Sequence, residues 1–166
     1  MMIDTSRPSP NWNDRPAGTR VSLIVIHGSD GSDNGDLDWL TKTGSEVSAH
    51  YLIQRTGHVY RLVDEEHRAW HAGKSSWQGR PNCNDYSIGI ELSCHDDEAY
   101  TDAHYRALGG LLAALASRHG LTLANIVGHS QIAPGRKTDP WAQFNFGRAF
   151  DEMLVYWDGP REDAVA

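Results

Sequence analysis

The sequence contains few cysteines and no long apolar run. Cys83 and Cys94 are its only cysteines, too few for a disulfide framework, so a reducing compartment is the simpler interpretation, with a single bridge still open. No apolar run approaches the roughly 18 residues of a membrane span. The opening stretch MMIDTSRPSPNWNDRP lacks the apolar core of a secretory signal. We therefore expect a protein made without a Sec-type signal, cytoplasmic as synthesised and with no membrane partner.

Positive charge is in the minority. The chain has 15 Lys and Arg against 22 Asp and Glu, a net charge of −7, which disfavours a nucleic-acid or anionic-membrane partner. Its length of 166 residues suits one domain. No internal repeat or low-complexity tract divides the chain. We expect a monomer with an extended arm over 1–20, one domain over 21–157 and a tail over 158–166.

Short apolar runs predict the strands. VSLIVIH at 21–27 and YSIGIEL at 86–92 are typical of buried strands, and 124–128 predicts a last one. Thr56-Gly57 separates two alternating segments, 48–55 and 58–63, and predicts a β-hairpin.

Helical spacing predicts the remaining elements. Leucines at helical spacing predict a helix over 102–119, capped by Thr101 and ended by Gly120. A second helix is predicted over 146–157 and a short one near 37–40, whereas the acidic run 30–38 predicts a solvated loop and 64–85 irregular structure. Strands and helices thus alternate. The predicted fold class is α/β, with a single central mixed β-sheet and helices on both faces.

Three strand ends carry candidate chemistry. His27 ends the first strand, Glu91 lies in the strand 86–92, and the last strand leads into His129. Because ends of neighbouring strands lie close together, His27 and His129 can meet. Asp139 returns on the loop 128–140, which we predict to have no regular structure, and can supply a third ligand. Two histidines and a carboxylate suit one catalytic Zn²⁺ with an open fourth position.

A catalytic zinc site also needs a base and an oxyanion partner. Zinc can lower the pKa of bound water to about 7 and polarise a carbonyl. Glu91, set in an apolar strand, can be the base, and Lys137 can stabilise the oxyanion. The alternative is that each residue is a surface group or a satisfied core group. A His and an Asp ten residues apart is not an established ligand spacing, so both interpretations remain open at this point.

Five ordered motifs resemble a known family. They are VIH at 25–27, SAHYLI at 48–53, AWHAG at 69–73, NDYSIGIEL at 84–92 and GHSQIAPGRKTDP at 128–140. Together they resemble the zinc-dependent N-acetylmuramoyl-L-alanine amidases of the amidase-2 type, which are related to peptidoglycan recognition proteins and to phage amidase lysozymes. The resemblance covers about residues 21–150.

The resemblance implies a role for each matching residue. His27, His129 and Asp139 match the zinc ligands, Glu91 the general base, and Lys137 the group that stabilises the transition state. The substrate-binding residues that it implies are Trp70, His71, Arg55 and Arg80. The implied reaction is hydrolysis of the amide between the lactyl group of N-acetylmuramic acid and L-alanine of the stem peptide. The implied partner is peptidoglycan or a muropeptide, in muropeptide recycling or, as in an endolysin, in cell-wall lysis.

The sequence departs from the cytoplasmic recycling amidases at three places. They usually carry Asn after the first zinc histidine, where this chain has Gly28. Their insertion before the SAH strand is longer than 28–47, a length closer to that of the envelope amidases. The usual Pro-Gly-Pro after the aspartate ligand becomes Pro140-Trp141-Ala142. These differences leave anhydro-muropeptides and intact wall both open as substrates.

Two other functions are compatible with the same pattern. Recognition proteins share the expected fold, and some bind peptidoglycan without zinc ligands or catalysis. Retention of the three ligands with Glu91 and Lys137 argues against such a module. A zinc peptidase that cuts the stem peptide itself is the third possibility, and the position of the cut distinguishes it from an amidase.

Overall fold

A six-stranded mixed sheet forms the centre of the computed structural model, which describes residues 2–157 and 159. In spatial order its strands are β1 (Ile3–Asp4), β5 (Val59–Arg61), β4 (Tyr51–Ile53), β9 (Ser87–Leu92), β3 (Leu23–Gly28) and β10 (Ile126–Gly128). Two small antiparallel pairs lie outside it. They are β2 (Trp12–Asp14) with β6 (His67–Ala69), and β7 (Ser76–Trp77) with β8 (Arg80–Pro81).

The direction of the strands determines where the site lies. β3 runs parallel to both β9 and β10, and β4 runs parallel to β9. The carboxyl ends of these four strands therefore meet at one edge of the sheet. β5 runs antiparallel to β4, which confirms the predicted hairpin, and Gly57 supplies the positive φ of 84° in its turn.

Within the described residues, four α-helices complete the fold: α1 (Asp33–Thr41), α2 (Asp102–His119), α3 (His129–Ile132) and α4 (Phe146–Leu154). α2 begins where predicted, because the Thr101 side chain accepts a hydrogen bond from the His104 N–H, and it ends at Gly120 with φ 66°. Among the described residues, no helix is both long and apolar enough to span a membrane.

The two faces of the sheet bury different side chains, because side chains alternate along a strand. From β3, Ile24 and Ile26 belong to the apolar cluster formed with α2 and α4. Leu23 and Val25 point to the opposite face, where residues from the segment 72–86 and α3 cover them. α1 covers Leu52 and Leu62 further along the sheet. Helices therefore lie on both faces, and the predicted α/β architecture is confirmed.

Three predictions that concern short elements differ from the structure. The segment 64–85 is not wholly irregular, because it contains β6, β7, β8 and a 3₁₀ helix at Cys83–Asp85. The predicted last strand is shorter, since a 3₁₀ helix occupies Leu123–Asn125 before β10. The loop 128–140 begins with one helical turn, α3. Each of these elements is only two to four residues long, too short to leave a periodic pattern in the sequence.

The predicted arm is bound to the domain. β1 extends the central sheet, and the Arg15 guanidinium donates to the Ser87 and Asp85 carbonyls at 2.8 and 2.9 Å. Asn11 donates to the Lys42 and Val47 carbonyls. The predicted tail 158–166 lies outside the described residues except for Gly159.

Candidate active site

Strand register brings the predicted ligands and base together. His27 on β3 lies directly opposite Glu91 on β9, and Gly128, the last residue of β10, lies opposite Ile26. His129 therefore follows at the level of His27. The Ser130 N–H donates to the Asp139 carbonyl at 2.8 Å. This hydrogen bond brings the end of the loop 128–140 back to its beginning. Residues separated by about a hundred positions thus meet at the edge of the sheet.

His27, His129 and Asp139 form a compact ligand set. The two Nδ1 atoms lie 2.9 Å apart, and Asp139 Oδ2 lies 3.0 Å from His129 Nδ1 and 3.3 Å from His27 Nδ1. A tetrahedral metal with bonds of roughly 2.0–2.1 Å separates its ligands by about 3.3 Å. All three residues are buried, which distinguishes the set from exposed acidic clusters, which commonly form without a metal ion. The set could bind one metal ion.

The protonation of the ligand set suits a cation. Burial lowers the pKa of His27 to about 4, so its ring is neutral at pH 7, as a metal ligand must be. The Ala72 carbonyl lies 3.1 Å from His129 Nε2. Because a carbonyl can only accept, Nε2 carries the proton, and Nδ1 of the neutral ring presents a lone pair to the metal position.

Glu91 is a buried carboxyl beside this set. Its Oε1 lies 3.9 Å from His27 Nδ1, and its Oε2 has no hydrogen-bond partner within residues 2–157 and 159. Burial raises the pKa of Glu91 to about 8, and the neighbouring Asp139 and Asp36 carboxylates act in the same direction. A buried carboxyl without its full set of partners is costly to fold. A role in catalysis gives a reason for keeping it there.

A cavity of about 330 Å³ opens over the ligand set. Besides the three ligands, Glu91 and Lys137 line it, so the structure gathers all five residues predicted for metal binding and catalysis in one place. Three indoles form parts of its wall, those of Trp39, Trp70 and Trp141. Flat aromatic faces beside a polar centre suit a sugar or peptide substrate.

The four predicted substrate-binding residues have different positions. Trp70 lines the cavity, as predicted for a substrate contact, and its indole N–H donates to Asn13 at 2.6 Å. His71 also reaches the cavity but is buried, with its Nδ1 3.0 Å from His27 Nε2. The main contact of His71 is therefore with the predicted metal ligand His27, not with the open cavity.

The structure does not bring the two arginines to the cavity. Arg55 pairs with Glu98 and lines a separate depression near Gly31 and Ser32. Arg80 lies in β8 with its guanidinium 3.8 Å from the centre of the Tyr86 ring. Both side chains already have partners outside the cavity that holds the metal ligands. A substrate contact for either one would lie outside that cavity.

Asp36 and Trp39 are among the cavity residues that sequence reasoning missed. Both belong to α1. Asp36 lies in the run 30–38 that was predicted to be a solvated loop, and Trp39 lies in the short helix predicted near 37–40. Asp36 is buried and accepts a hydrogen bond from the Ser29 hydroxyl at 2.6 Å, and burial raises its pKa. Close approach to Gly31 makes this possible, because a Cβ there would lie 2.1 Å from Asp36 Oδ1. Leu37 and Leu40, which α1 buries, were the signal for the short predicted helix, but the acidic residues before them concealed its first turn.

Comparison with known proteins agrees with this geometry. The Amidase_2 family model, described as N-acetylmuramoyl-L-alanine amidase, matches residues 17–142. The 1,6-anhydro-N-acetylmuramyl-L-alanine amidase AmpD of Citrobacter freundii is 42% identical over 159 residues, covering 85% of each chain. A crystal structure of an AmpD derivative has a TM-score of 0.82 and 36% identity, covering 95% of this chain and 99% of that one.

The structure of a second amidase is also similar. The structure of the amidase AmiD from E. coli, in complex with anhydro-N-acetylmuramic acid-L-Ala-D-γ-Glu-L-Lys, has a TM-score of 0.75 and 29% identity. The match covers 83% of this chain and 60% of that one. The family model covers most of this chain, and a relative at 42% identity covers 85% of it. The chain therefore belongs to the Amidase_2 family of N-acetylmuramoyl-L-alanine amidases.

Proposed function

We propose that this protein is a zinc-dependent amidase that hydrolyses the amide between the lactyl group of N-acetylmuramic acid and L-alanine of the stem peptide. The observation that carries the proposal is the in-register placement of Glu91 beside a buried His27, His129 and Asp139 ligand set. Two imidazoles and one carboxylate with an open side suit catalytic zinc. When bound, zinc supplies a Lewis acid that polarises the scissile carbonyl and acidifies water.

The protein's own residues perform the proton transfers. Glu91 is placed to take a proton from the attacking water, and its Oε2, which has no hydrogen-bond partner among the residues that the structure describes, can hold that proton. The same carboxyl then donates it to the leaving nitrogen of L-alanine, which must be protonated to depart as an amine. Lys137, on the loop beside Asp139, stabilises the oxyanion of the tetrahedral intermediate with its positive charge.

We further propose that the substrate is a soluble anhydro-muropeptide rather than intact wall. Relatives at about 40% identity over most of the chain are named for the 1,6-anhydro substrate, and the AmiD structure contains an anhydro-muramyl peptide. The cavity of about 330 Å³ is large enough for a small ligand's reacting part. A role in muropeptide recycling in the cytoplasm follows, and the two buried free thiols are compatible with that reducing compartment.

Mass spectrometry of digests tests the proposal. Purified protein is incubated with a soluble anhydro-muropeptide and, separately, with intact peptidoglycan, each with and without a zinc chelator. Free stem peptide beginning at L-alanine is expected from the soluble substrate, lost with chelator and restored by Zn²⁺. A cut within the stem peptide would instead indicate a peptidase.

Two controls separate the alternatives. Glu91→Gln retains the cavity and the ligands, so it should bind substrate without cleaving it. Wild-type protein that binds muropeptide but yields no product, even with added Zn²⁺, would indicate a non-catalytic recognition module. Efficient release from intact wall would contradict the recycling role while leaving the amidase assignment in place.

A further inference from the structure

We infer that His71 and Ser87 are positioning residues that hold His27 in the tautomer that presents Nδ1 to the metal. The inference rests on the proposed function, because it concerns the ligand set of the same site. It gives His71 a role other than the substrate contact predicted from the sequence. It also assigns a role to Ser87, for which sequence reasoning predicted none.

A chain of three hydrogen bonds leads from a backbone carbonyl to His27. The Ser87 hydroxyl lies 2.6 Å from the Cys83 carbonyl and 3.2 Å from His71 Nε2. His71 Nδ1 in turn lies 3.0 Å from His27 Nε2. We call this chain, from the Cys83 carbonyl through Ser87 and His71 to His27, the His27 relay.

The carbonyl fixes the direction of every hydrogen bond in the His27 relay. A carbonyl only accepts, so the single Ser87 hydroxyl proton points to Cys83, and Ser87 Oγ must accept from His71 Nε2–H. His71 is buried, and within the described residues no carboxylate pairs with its ring, so the ring is neutral. A neutral ring protonated on Nε2 has a lone pair on Nδ1. His71 Nδ1 therefore accepts from His27 Nε2–H, and His27 Nδ1 is left unprotonated.

The fold holds the His71 ring in place. The Asn84 side-chain oxygen accepts from the backbone N–H groups of both His71 and Ala72, at 3.1 and 2.7 Å. A Cβ at Gly89 would lie 2.3 Å from the His71 ring, so only glycine on β9 leaves room for it. Ser87, Gly89 and Glu91 occupy every second position of β9, so all three lie on the same face of the strand. One strand therefore supplies the relay's hydroxyl, the space for its ring and the base.

A single hydrogen bond fixes the corresponding tautomer of His129. Its Nε2 donates directly to the Ala72 carbonyl at 3.1 Å, whereas His27 uses two intervening side chains. In these tautomers both histidines direct Nδ1 to the metal position. Groups that orient metal-bound histidines typically contribute about 10- to 100-fold to metal affinity.

Zinc affinity of purified metal-free protein tests the inference without reference to activity. His71→Leu removes the acceptor for His27 and should weaken Zn²⁺ binding by about 10- to 100-fold, measured by competition with a chromophoric chelator. His71→Asn places an amide oxygen where Nδ1 was, so it should recover most of that loss. Ser87→Ala removes the acceptor of His71 Nε2–H and should weaken binding by up to about tenfold.

Ser93→Ala is the matched control. Ser93 is as completely buried as Ser87, adjoins the other end of β9 and takes no part in the His27 relay. It should bind zinc like the wild type. Equal zinc affinity in wild type, His71→Leu and Ser87→Ala would overturn the inference. So would losses of affinity that merely follow a lower melting temperature of the metal-free variants, because that pattern indicates general destabilisation.

Nitrogen NMR reports the tautomer directly. In ¹⁵N-histidine-labelled, metal-free wild type, His27 should carry its proton on Nε2, and Ser87→Ala should shift the ring towards a mixture. A His27 proton on Nδ1 in the wild type would contradict the inference. Failure of the wild type to bind zinc at all would instead contradict the proposed function, so the two failures are distinguishable.

Discussion

His27 and Glu91 are direct register partners on adjacent parallel strands, with His27 Nδ1 and Glu91 Oε1 3.9 Å apart. Side chains at paired positions of neighbouring strands point to the same face. The sheet itself, rather than a flexible loop, therefore sets the separation between the metal ligand and the proposed base. A site on rigid strands holds its geometry more accurately than one on loops.

Glu91→Gln should strongly lower turnover without loss of metal. The amide cannot accept a proton from water, so a decrease in kcat of about 10²- to 10⁴-fold is expected. Zinc content, measured by atomic emission after dialysis, should stay near one ion per chain. Wild-type kcat in this variant would show that another group is the base.

The same substitution should not lower the stability. Glu91 Oε2 lacks a hydrogen-bond partner among the described residues, and burial raises the pKa of the carboxyl to about 8. Replacing a buried acid with a neutral amide of the same shape removes that cost. The melting temperature of metal-free Glu91→Gln should therefore equal or exceed that of the wild type. A marked decrease would mean that the carboxylate stabilises the fold.

Lys137→Met should lower kcat by about 10²- to 10³-fold, the usual loss when one oxyanion-stabilising group is removed. Lys137 lines the cavity but is itself exposed, so its removal should leave the fold and the zinc content unchanged. Lys74→Met removes an exposed lysine outside the cavity and is the matched control. Equal activity of the two variants would exclude Lys137 from the reaction.

Asp139→Asn should remove the stabilisation that zinc confers. An ion at 100 times its Kd adds about 2.7 kcal/mol to the free energy of unfolding of a protein that binds it only when folded. Thermal denaturation with and without Zn²⁺ measures this gain in the wild type. Asp36→Asn changes another buried carboxyl of the same cavity and should keep the gain. Zinc-dependent stabilisation of Asp139→Asn would show that the carboxylate is not a ligand.

The sequence predicts the long elements of this fold because their signals are local. Thr101 and Gly120 mark the two ends of α2 through a cap and a left-handed residue, and both act within one helical turn. The ligands His27, His129 and Asp139 could be predicted as a group because their motifs resemble a known family. In contrast, the register that sets His27 opposite Glu91 depends on pairing between distant strands.

The orientation of His71 could not be predicted for the same reason. Its motif places it beside Trp70, which suggested a substrate contact. The ring instead lies against Gly89 and hydrogen-bonds to Ser87, and both partners belong to a strand that follows later in the chain. The only sequence signal was that Ser87, Gly89 and Glu91, on one face of that strand, are not large apolar residues. Small or polar residues there indicate that something other than an apolar core covers this face.

Gly28 and Trp141, two departures from the recycling-amidase pattern, should be energetically coupled. A Cβ on Gly28 would lie 2.7 Å from Trp141 Nε1 and 2.5 Å from the Tyr100 hydroxyl. Gly28→Ala should therefore destabilise the protein by about 1–3 kcal/mol through overpacking. In a Trp141→Ala background the same change should cost less, because the indole contact is gone. Urea denaturation of the two single variants and the double variant gives the coupling energy, and strictly additive effects would contradict a direct contact.

Acid should destabilise the protein partly through His50. Burial and the nearby Arg15 lower the pKa of His50 to about 3, against about 6.5 in the unfolded chain. Between these values the unfolded state binds the extra proton, so the free energy of unfolding falls as the pH falls below 6.5. From pH 7 to pH 5 this one group should cost about 2 kcal/mol.

A variant isolates the contribution of His50 from that of the other buried histidines. In His50→Asn the amide oxygen can still accept the Gly89 N–H, which donates to His50 Nδ1 at 3.0 Å, but nothing titrates at that position. The variant loses the contact of His50 Nε2 with the His67 carbonyl, so it should be less stable at pH 7. Its stability should nevertheless fall less steeply towards pH 5, by about 2 kcal/mol, in urea denaturation series of the metal-free proteins. Parallel pH dependences would mean that His50 is protonated in the folded state, which would require its ring to give up the Gly89 hydrogen bond.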